Sequence, residues 1–399
     1  MNIFFKAYCR SYQQIFKWLI PLMPYREPKI IDSVENIKDT LIEKNILNVL
    51  IVTDKGIKDL GLVNGLEESL KQANIKYVVF DGVVPNPTIQ NVEDALKLYL
   101  DNECMGIIAF GGGSVMDCAK AMGARVSRPE KPVNKMKGLL KIRKPLPLLI
   151  AIPTTAGTGS ETTLAAVITD PETKSKYAIN DFNLIPAYAV LDPKLTINLP
   201  KFLTATTGMD ALTHAIEAYV GRSTNDHTRK CALEACRLIF ENLEKVYDDG
   251  KNERARAHML KGSYLAGIAF TISYVGYVHA IAHSLGGMYN TPHGLANAVI
   301  LPYVLSEYGK TIHTKLKEIA VHCNIARPYD NPQIASSKLI NKILDMNEHM
   351  GIPKKFDFIN KADIPALAKH ASREGNPLYP VPKLLSAKEL ERLYYEISN

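Results

Sequence analysis

The chain has only six cysteines in 399 residues, Cys9, Cys104, Cys118, Cys231, Cys236 and Cys323, and no two are spaced as C-x-x-C. That excludes a disulfide-stapled secreted scaffold and a cysteine-rich metal module; the cysteines read as buried or free thiols, which fits a reducing cytoplasm. A long basic run with interleaved aromatics is also missing, and the formal charge of +7 is a small excess of 48 basic over 41 acidic residues. Nucleic-acid binding therefore has no support. There is no internal repeat and no low-complexity segment. In the first 24 residues Lys17 interrupts the apolar content and no small-residue cleavage site follows, so neither a signal peptide nor a membrane-spanning helix is expected there. What remains is an ordinary soluble composition, 46% hydrophobic and 22% charged, with length enough for two domains.

Those first residues still carry a pattern. Phe4, Phe5, Tyr8, Tyr12, Phe16 and Leu19 fall on one side of a helix and Lys6, Arg10, Gln13 and Lys17 on the other. The expectation is an amphipathic extension over residues 1–30 whose apolar stripe packs on the body of the protein or on another subunit. Weak membrane-surface contact through residues 1–24 is the alternative.

From Asn48 to Asp54 a continuous apolar run ends in an acid, as a strand buried on both faces does. A helical segment (about 56–74), a strand (Lys76–Phe80), a helix (about 88–101) and a strand (Gly106–Phe110) follow. This alternation predicts a doubly wound, Rossmann-like α/β domain over residues 31–200, closed by short strands at Ala165–Thr169, Lys176–Asn180 and Ala189–Asp192. Two strands run straight into loops suited to phosphate. Gly111-Gly112-Gly113-Ser114 opens a helix that also carries Asp117, and Pro153 to Thr163 is dense in glycine and hydroxyls. Glycines let backbone N–H groups approach an anion, and a helix N-terminus adds partial positive charge. The first loop is not G-x-G-x-x-G; its position after a strand, where open sheets bind ligands, together with the second loop, points to a dinucleotide.

Beyond Leu199-Pro200 the pattern becomes helical throughout, with 3.6-residue periodicity at about 204–220, 226–246, 252–271, 273–286, 295–308, 312–324, 334–350 and 387–397, so residues 201–399 form an all-helical domain. It holds the densest chemistry in the chain. Asp210 and His214 stand four apart, as do His279 and His283, and Gly286-Gly287 and Pro292 can turn His293 back towards them. One carboxylate and up to four imidazoles suit a borderline divalent metal such as Fe²⁺ or Zn²⁺.

With these residues in place, the sequence resembles the iron-containing (group III) alcohol dehydrogenases from about Asn48 to its C-terminus. The motifs that carry the resemblance are Thr53-Asp54-Lys55, Val84-Pro85-Asn86-Pro87, Gly111–Ser114 with Asp117, Pro153–Glu161, Gly208–Glu217, the histidine-rich stretch, and Gly375-Asn376-Pro377. The resemblance implies a dehydroquinate synthase-like architecture, an α/β cofactor domain followed by a helical metal domain. It makes Asp210, His214, His279 and His293 the metal ligands, for Fe²⁺ or, with the same donors, Zn²⁺ or Mn²⁺. His283 is left as an unligated imidazole able to relay a proton. Asp54 is implied to meet the adenosine ribose of NAD, where an acid repels the 2′-phosphate of NADP. Asn86, Gly112, Gly113, Ser114, Asp117, Thr154, Thr155, Thr158 and Lys176 match cofactor positions. The expected activity is NAD-dependent interconversion of an alcohol and an aldehyde or ketone by a homo-oligomeric cytoplasmic enzyme. A polyol (glycerol-type) dehydrogenase, a dehydroquinate synthase-like metalloenzyme and a non-catalytic relative that binds metal and NAD are the alternatives; Asp-x-x-x-His followed by His-x-x-x-His speaks against the first two. The segment Lys29–Val34 lacks the glycine-rich hairpin usual in the family, so residues 1–40 are the least transferable.

Overall fold

A computed structural model describes residues 1–172 and 175–399. The chain opens with α1 (Ile3–Leu19), capped by Asn2, whose side chain accepts from the Phe5 N–H. It then runs through β1 (Lys29–Ile31), α2 (Ile37–Glu43), β2 (Asn48–Val52), α3 (Lys55–Asp59), α4 (Asn64–Gln72), β3 (Lys76–Phe80), α5 (Ile89–Asp101), β4 (Gly106–Gly111), α6 (Gly113–Ser127), β5 (Gly138–Leu139), β6 (Leu148–Pro153), β7 (Ala165–Asp170), β8 (Ser175–Asn180) and β9 (Tyr188–Val190). The helices α7 (Lys201–Val220), α8 (Asp226–Asp248), α9 (Glu253–Ser273), α10 (Tyr277–Tyr289), α11 (His293–Tyr308), α12 (His313–His322), α13 (Pro332–His349), α14 (Ile364–Gly375) and α15 (Ala387–Ile397) follow.

Two compact units result, Pro24–Asn198 and a helical one made of Leu199–Asn399 together with Met1–Met23. The start of the chain, expected as an extension over residues 1–30, groups with the helices as far as Met23.

In the α/β unit the main sheet has the order β1-β9-β6-β4-β2-β3 and all of its pairs are parallel. Alternate residues of the central strands feed opposite cores. Leu50, Val52, Ile107 and Ala109 pack under α5 and α6, while Val49, Ile51, Ile108, Phe110, Ile150 and Ile152 face the other side. Burial on both faces is why these strands are apolar throughout. A smaller sheet, β5-β8-β7, lies beside them. The single helical segment expected at 56–74 is broken into α3 and α4 around Gly61, whose φ of 67° a side chain would resist.

In the helical unit α7 is buried along most of its length, its polar members Asp210, His214 and Glu217 included. The helix expected to begin near residue 273 starts only at Tyr277, after a turn in which Tyr274 takes φ 64°. Helix α14 was not anticipated. No single helix among the described residues is long and apolar enough to cross a membrane.

The apolar stripe of α1 is disposed differently from expectation. Cys9, Gln13 and Ile20 are buried, whereas Phe4, Phe5, Tyr8 and Leu19 are exposed. The packing face is held by polar anchors: Arg10 donates to the carbonyls of Val381 (2.7 Å) and Pro382 (3.0 Å), and Gln13 donates to that of Tyr379 (2.6 Å). Of the stripe, Tyr12 and Phe16 are half-buried, and Phe16 lies edge-on to Tyr274 at 5.0 Å.

Candidate functional site

Successive strands step outward from β2 to β3 and then cross back to β4, so the winding reverses beside β2. At such a switch point the carboxyl ends of the strands leave a crevice that takes ligands. Asp54 follows β2 there and caps α3, its Oδ1 accepting the Ile57 N–H at 2.9 Å. Thr53 ties this end to β4 by donating its hydroxyl to the Phe110 carbonyl at 2.8 Å. Gly112 caps α6, which presents its first N–H groups at the end of β4. A Cβ on Gly113 would stand 3.1 Å from the Thr158 methyl, so glycine is what lets the two loops close on each other. Asn86, Ser114 and Lys176 meet at the same place: the Asn86 N–H donates to Ser114 Oγ (3.3 Å) and Lys176 Nζ donates to Asn86 Oδ1 (2.8 Å). Thr154 is tied to the first loop through its N–H, which donates to the Gly111 carbonyl at 3.3 Å.

Asp117 sits differently from its neighbours. Its oxygens accept from the Ser160 hydroxyl (3.1 Å) and the Val167 N–H (3.0 Å), so it shapes the loop. Lys120, one turn further along α6, is fully buried and does more of the same work, donating to the carbonyls of Ser160, Thr163 and Ala165 and to the hydroxyls of Ser160 and Thr163 within 3.1 Å. Burial pulls its amino group down to about 8, against the opposing charges of Asp117 and Glu161. Lys120→Met leaves those carbonyls buried without their donor and should destabilise the protein by about 3 kcal/mol or more in chemical denaturation. Between pH 8 and the unfolded lysine value of 10.5 only the unfolded chain holds the proton, so wild-type stability should rise with pH across that window. The variant should lack this rise; a loss under about 1 kcal/mol would show that the amino group pins nothing.

In the helical unit Asp210 and His214 lie one turn apart on α7, His279 on α10, and His293 is the first residue of α11. One ligand atom from each lies within 4.8 Å of all the others. Close approach of α11 to α7 depends on Gly294, where a Cβ would stand 2.3 Å from the Thr206 carbonyl oxygen. His214 is stacked between Phe270 (4.1 Å) and His279 (4.5 Å). Asp210, His214 and His279 are buried and His293 is half-exposed. Burial, and then the neighbouring imidazoles, hold His279 well below its ordinary pKa, keeping it a neutral donor of the kind metals take.

Two residues that support this cluster have no role assigned from the sequence. Glu217, buried, accepts from the Gly276 and Val278 N–H groups (both 2.8 Å) and lies 2.6 Å from His279 Nδ1. With the proton on Nδ1, His279 presents Nε2 to the cluster, the arrangement in which a carboxylate fixes the tautomer of a metal-binding imidazole. Burial raises Glu217 to about 7, against the N–H groups that favour its ionised form. Its place two turns beyond Asp210 on α7 was the available signal. Asn297 is fully buried one turn after His293, with Nδ2 2.7 Å from Asp210 Oδ1, 3.1 Å from His293 Nε2 and 3.3 Å from His279 Nε2. Acceptor atoms of three residues therefore converge on one donor, and a divalent cation satisfies the same convergence with charge. A carboxylate with three imidazoles fits such an ion.

His283 shares the face of His279 but stands outside this cluster of four. Its Nδ1 is 2.5 Å from Glu374 Oε1, and its ring is stacked on that of His293 at 5.2 Å. Glu374 also accepts from the Tyr379 hydroxyl at 2.6 Å. Burial disfavours its charge, but His283 and these hydrogen bonds outweigh that and hold it below the usual carboxylate value. Glu374 is the penultimate residue of α14, a helix that the sequence pattern does not announce.

Two family models match the chain, iron-containing alcohol dehydrogenase over residues 30–193 and the C-terminal part of the Fe-containing alcohol dehydrogenase family over residues 204–398. The 1,3-propanediol dehydrogenase of Citrobacter freundii is 37% identical over 385 residues, covering 96% of this chain and 98% of its own. Among solved structures, a 1,3-propanediol oxidoreductase matches with a TM-score of 0.90 at 36% identity, over 94% of this chain and 99% of that one. The sulfoacetaldehyde reductase of Bifidobacterium kashiwanohense, in complex with NAD⁺, matches with a TM-score of 0.84 at 27% identity, over 94% and 98%.

Proposed function

Because this chain belongs to the iron-containing alcohol dehydrogenase family and is an oxidoreductase acting on alcohols, we propose that it holds Fe²⁺ through Asp210, His214, His279 and His293 and interconverts an alcohol and an aldehyde or ketone with NAD. The observation that carries this reading is the convergence of one carboxylate and three imidazoles in a cluster braced by Glu217 and Asn297. When bound, the metal supplies Lewis acidity towards the alcohol oxygen and NAD supplies the hydride acceptor. The chain's own residues do the rest. Glu217 fixes the tautomer of His279, Asn297 orients Asp210, and the half-exposed His283 with Glu374 behind it takes a proton towards solvent. Zn²⁺ or Mn²⁺ suits the same donors.

NAD is assigned to the crevice at the ends of β2 and β4, with Asp54, Asn86, Gly112, Gly113, Ser114, Thr154, Thr155, Thr158 and Lys176 around it and Asp117 shaping the loop. The NAD⁺ complex of the sulfoacetaldehyde reductase supports the choice of cofactor. Asp54→Gly removes the charge that repels a 2′-phosphate and should shift the ratio of NADP to NAD efficiency upward by at least about tenfold. Glycine serves tolerably as the α3 cap, so the change should cost only a few tenths of a kcal/mol. A wild-type enzyme that already prefers NADP would contradict this role for Asp54.

The resemblance to 1,3-propanediol dehydrogenase favours short primary alcohols and diols as substrates. Anaerobically prepared enzyme assayed with NAD against a panel of these should reduce NAD with at least one, lose that activity to a chelator and regain it with Fe²⁺. NAD binding without turnover on any alcohol would leave a non-catalytic relative. The same reading includes a homo-oligomer, a reducing cytoplasm, supported by six buried cysteines with no disulfide among the described residues, and contact of residues 1–24 with a membrane surface, supported by the exposed residues of α1.

A further inference from the structure

Helix α1 is fixed on one side and open on the other. Arg10 and Gln13 clamp it to the carbonyls of residues 379–382, and Cys9, Gln13 and Ile20 are buried beneath it. On the opposite side Phe4 (83% exposed), Tyr8, Ile15 and Trp18 (68%) recur at spacings of three, four and seven, forming an apolar stripe with Ile3 and Leu19 at its margins, and Leu22 (80%) is exposed in the 3-10 turn that follows the helix. Isolated apolar residues on a surface are ordinary. A stripe this long on a helix already packed by its other face marks a contact surface.

The charges of the segment choose the occupant of its stripe. Arg10 and Arg26 are engaged by backbone carbonyls, which leaves the exposed Lys6 and Lys17 as the charges of α1 open to a partner, and Met1–Arg26 contains no aspartate or glutamate. Lys17 adds to a basic neighbourhood in which its charge, with those of Arg229 and Arg222, helps burial hold Lys315 down to about 8; Glu318, hydrogen-bonded to Tyr219, is the acid among them. A second copy of α1 would bring no acid to meet Lys6 and Lys17. An anionic lipid surface satisfies both halves of the pattern, taking aromatic and aliphatic side chains into the headgroup boundary and the basic flank against its charge. Deepening the membrane contact proposed for residues 1–24, and resting on that reading, we propose that the outward stripe of α1 is a reversible docking face for anionic membranes. The enzyme is held at the surface with the inner face of α1 still packed on its own helices.

Trp18 is the only tryptophan of the chain, so its fluorescence reports this face directly. Full-length protein is mixed with phosphatidylcholine vesicles, with or without about 30% phosphatidylglycerol. With the anionic vesicles Trp18 emission should shift to the blue and become shielded from acrylamide, and added salt should reverse both effects. The double variant Phe4→Glu, Leu22→Glu should lower the partition by at least about tenfold while alcohol oxidation is unchanged. Equal shielding by neutral vesicles would keep the membrane contact but overturn the anionic assignment. Unchanged Trp18 emission on anionic vesicles would overturn both. Shielding that appears without vesicles, grows with protein concentration and accompanies a doubled mass would give the stripe to a second copy of the chain.

Discussion

Asp210→Ala and His293→Ala should each leave a folded protein that holds no stoichiometric metal and has lost alcohol oxidation by about a thousandfold or more. The magnitude follows from removing a Lewis acid that contributes several kcal/mol to the transition state, about 4 kcal/mol being a thousandfold. The fold survives because α7 is held by Met209, Ala211, Leu212, Ala215 and Ile216, all buried, and these do not depend on the cluster. Losing the Asp210 carboxylate deprives the Asn297 amide of its 2.7 Å partner, a cost of roughly 1–3 kcal/mol. Metal analysis beside thermal unfolding separates the two effects. Stoichiometric metal in both variants would remove these residues from the ligand set.

His283→Ala should behave in the opposite way, keeping its metal while turnover falls by roughly 10²–10⁴-fold, the usual contribution of a general acid–base group. Helical spacing alone counts His283 with His279, since both lie on one face of α10. The geometry separates them. His279 is braced by buried Glu217 and joins Asp210, His214 and His293, whereas the Nδ1 of His283 is engaged with Glu374 and its side chain remains partly exposed. A proton received there has a route to solvent and an ionised carboxylate behind it to stabilise the charge. The pH–rate profile should change near neutrality in this variant, and metal content should not. Metal lost in step with activity would make His283 a ligand, and unchanged turnover would make it a packing residue.

The parts of the fold and site that could be read from the sequence are those whose physics is local. Strands β2, β4 and β6 are apolar throughout because both faces of the sheet are covered, and the loops after them announce themselves through glycine and hydroxyls. The four-residue spacings on α7 and α10 put chemistry on one face without any knowledge of what lies opposite. Long-range relations left no such mark. Glu217 and Asn297 are an ordinary acid and an ordinary amide until α10 and α11 fold against α7. Helix α14 hid because alanines and Gly375 form much of its buried face and a proline stands at its start, so Glu374 was missed with it. In α1 the amphipathic pattern was visible, but hydrophobicity pointed to the wrong face, since Arg10 and Gln13 make the anchoring contacts and the aromatic side is largely left to solvent.

The central claim is one metal ion, held by Asp210, His214, His279 and His293, in an enzyme that oxidises alcohols with NAD. Its most direct test is elemental analysis of anaerobically purified wild-type and Asp210→Ala protein, with alcohol-dependent NADH formation measured on the same two samples. Close to one iron per wild-type chain with activity is expected, and neither in the variant. Wild-type protein that reduces NAD with an alcohol at full rate after exhaustive removal of divalent metals would contradict it.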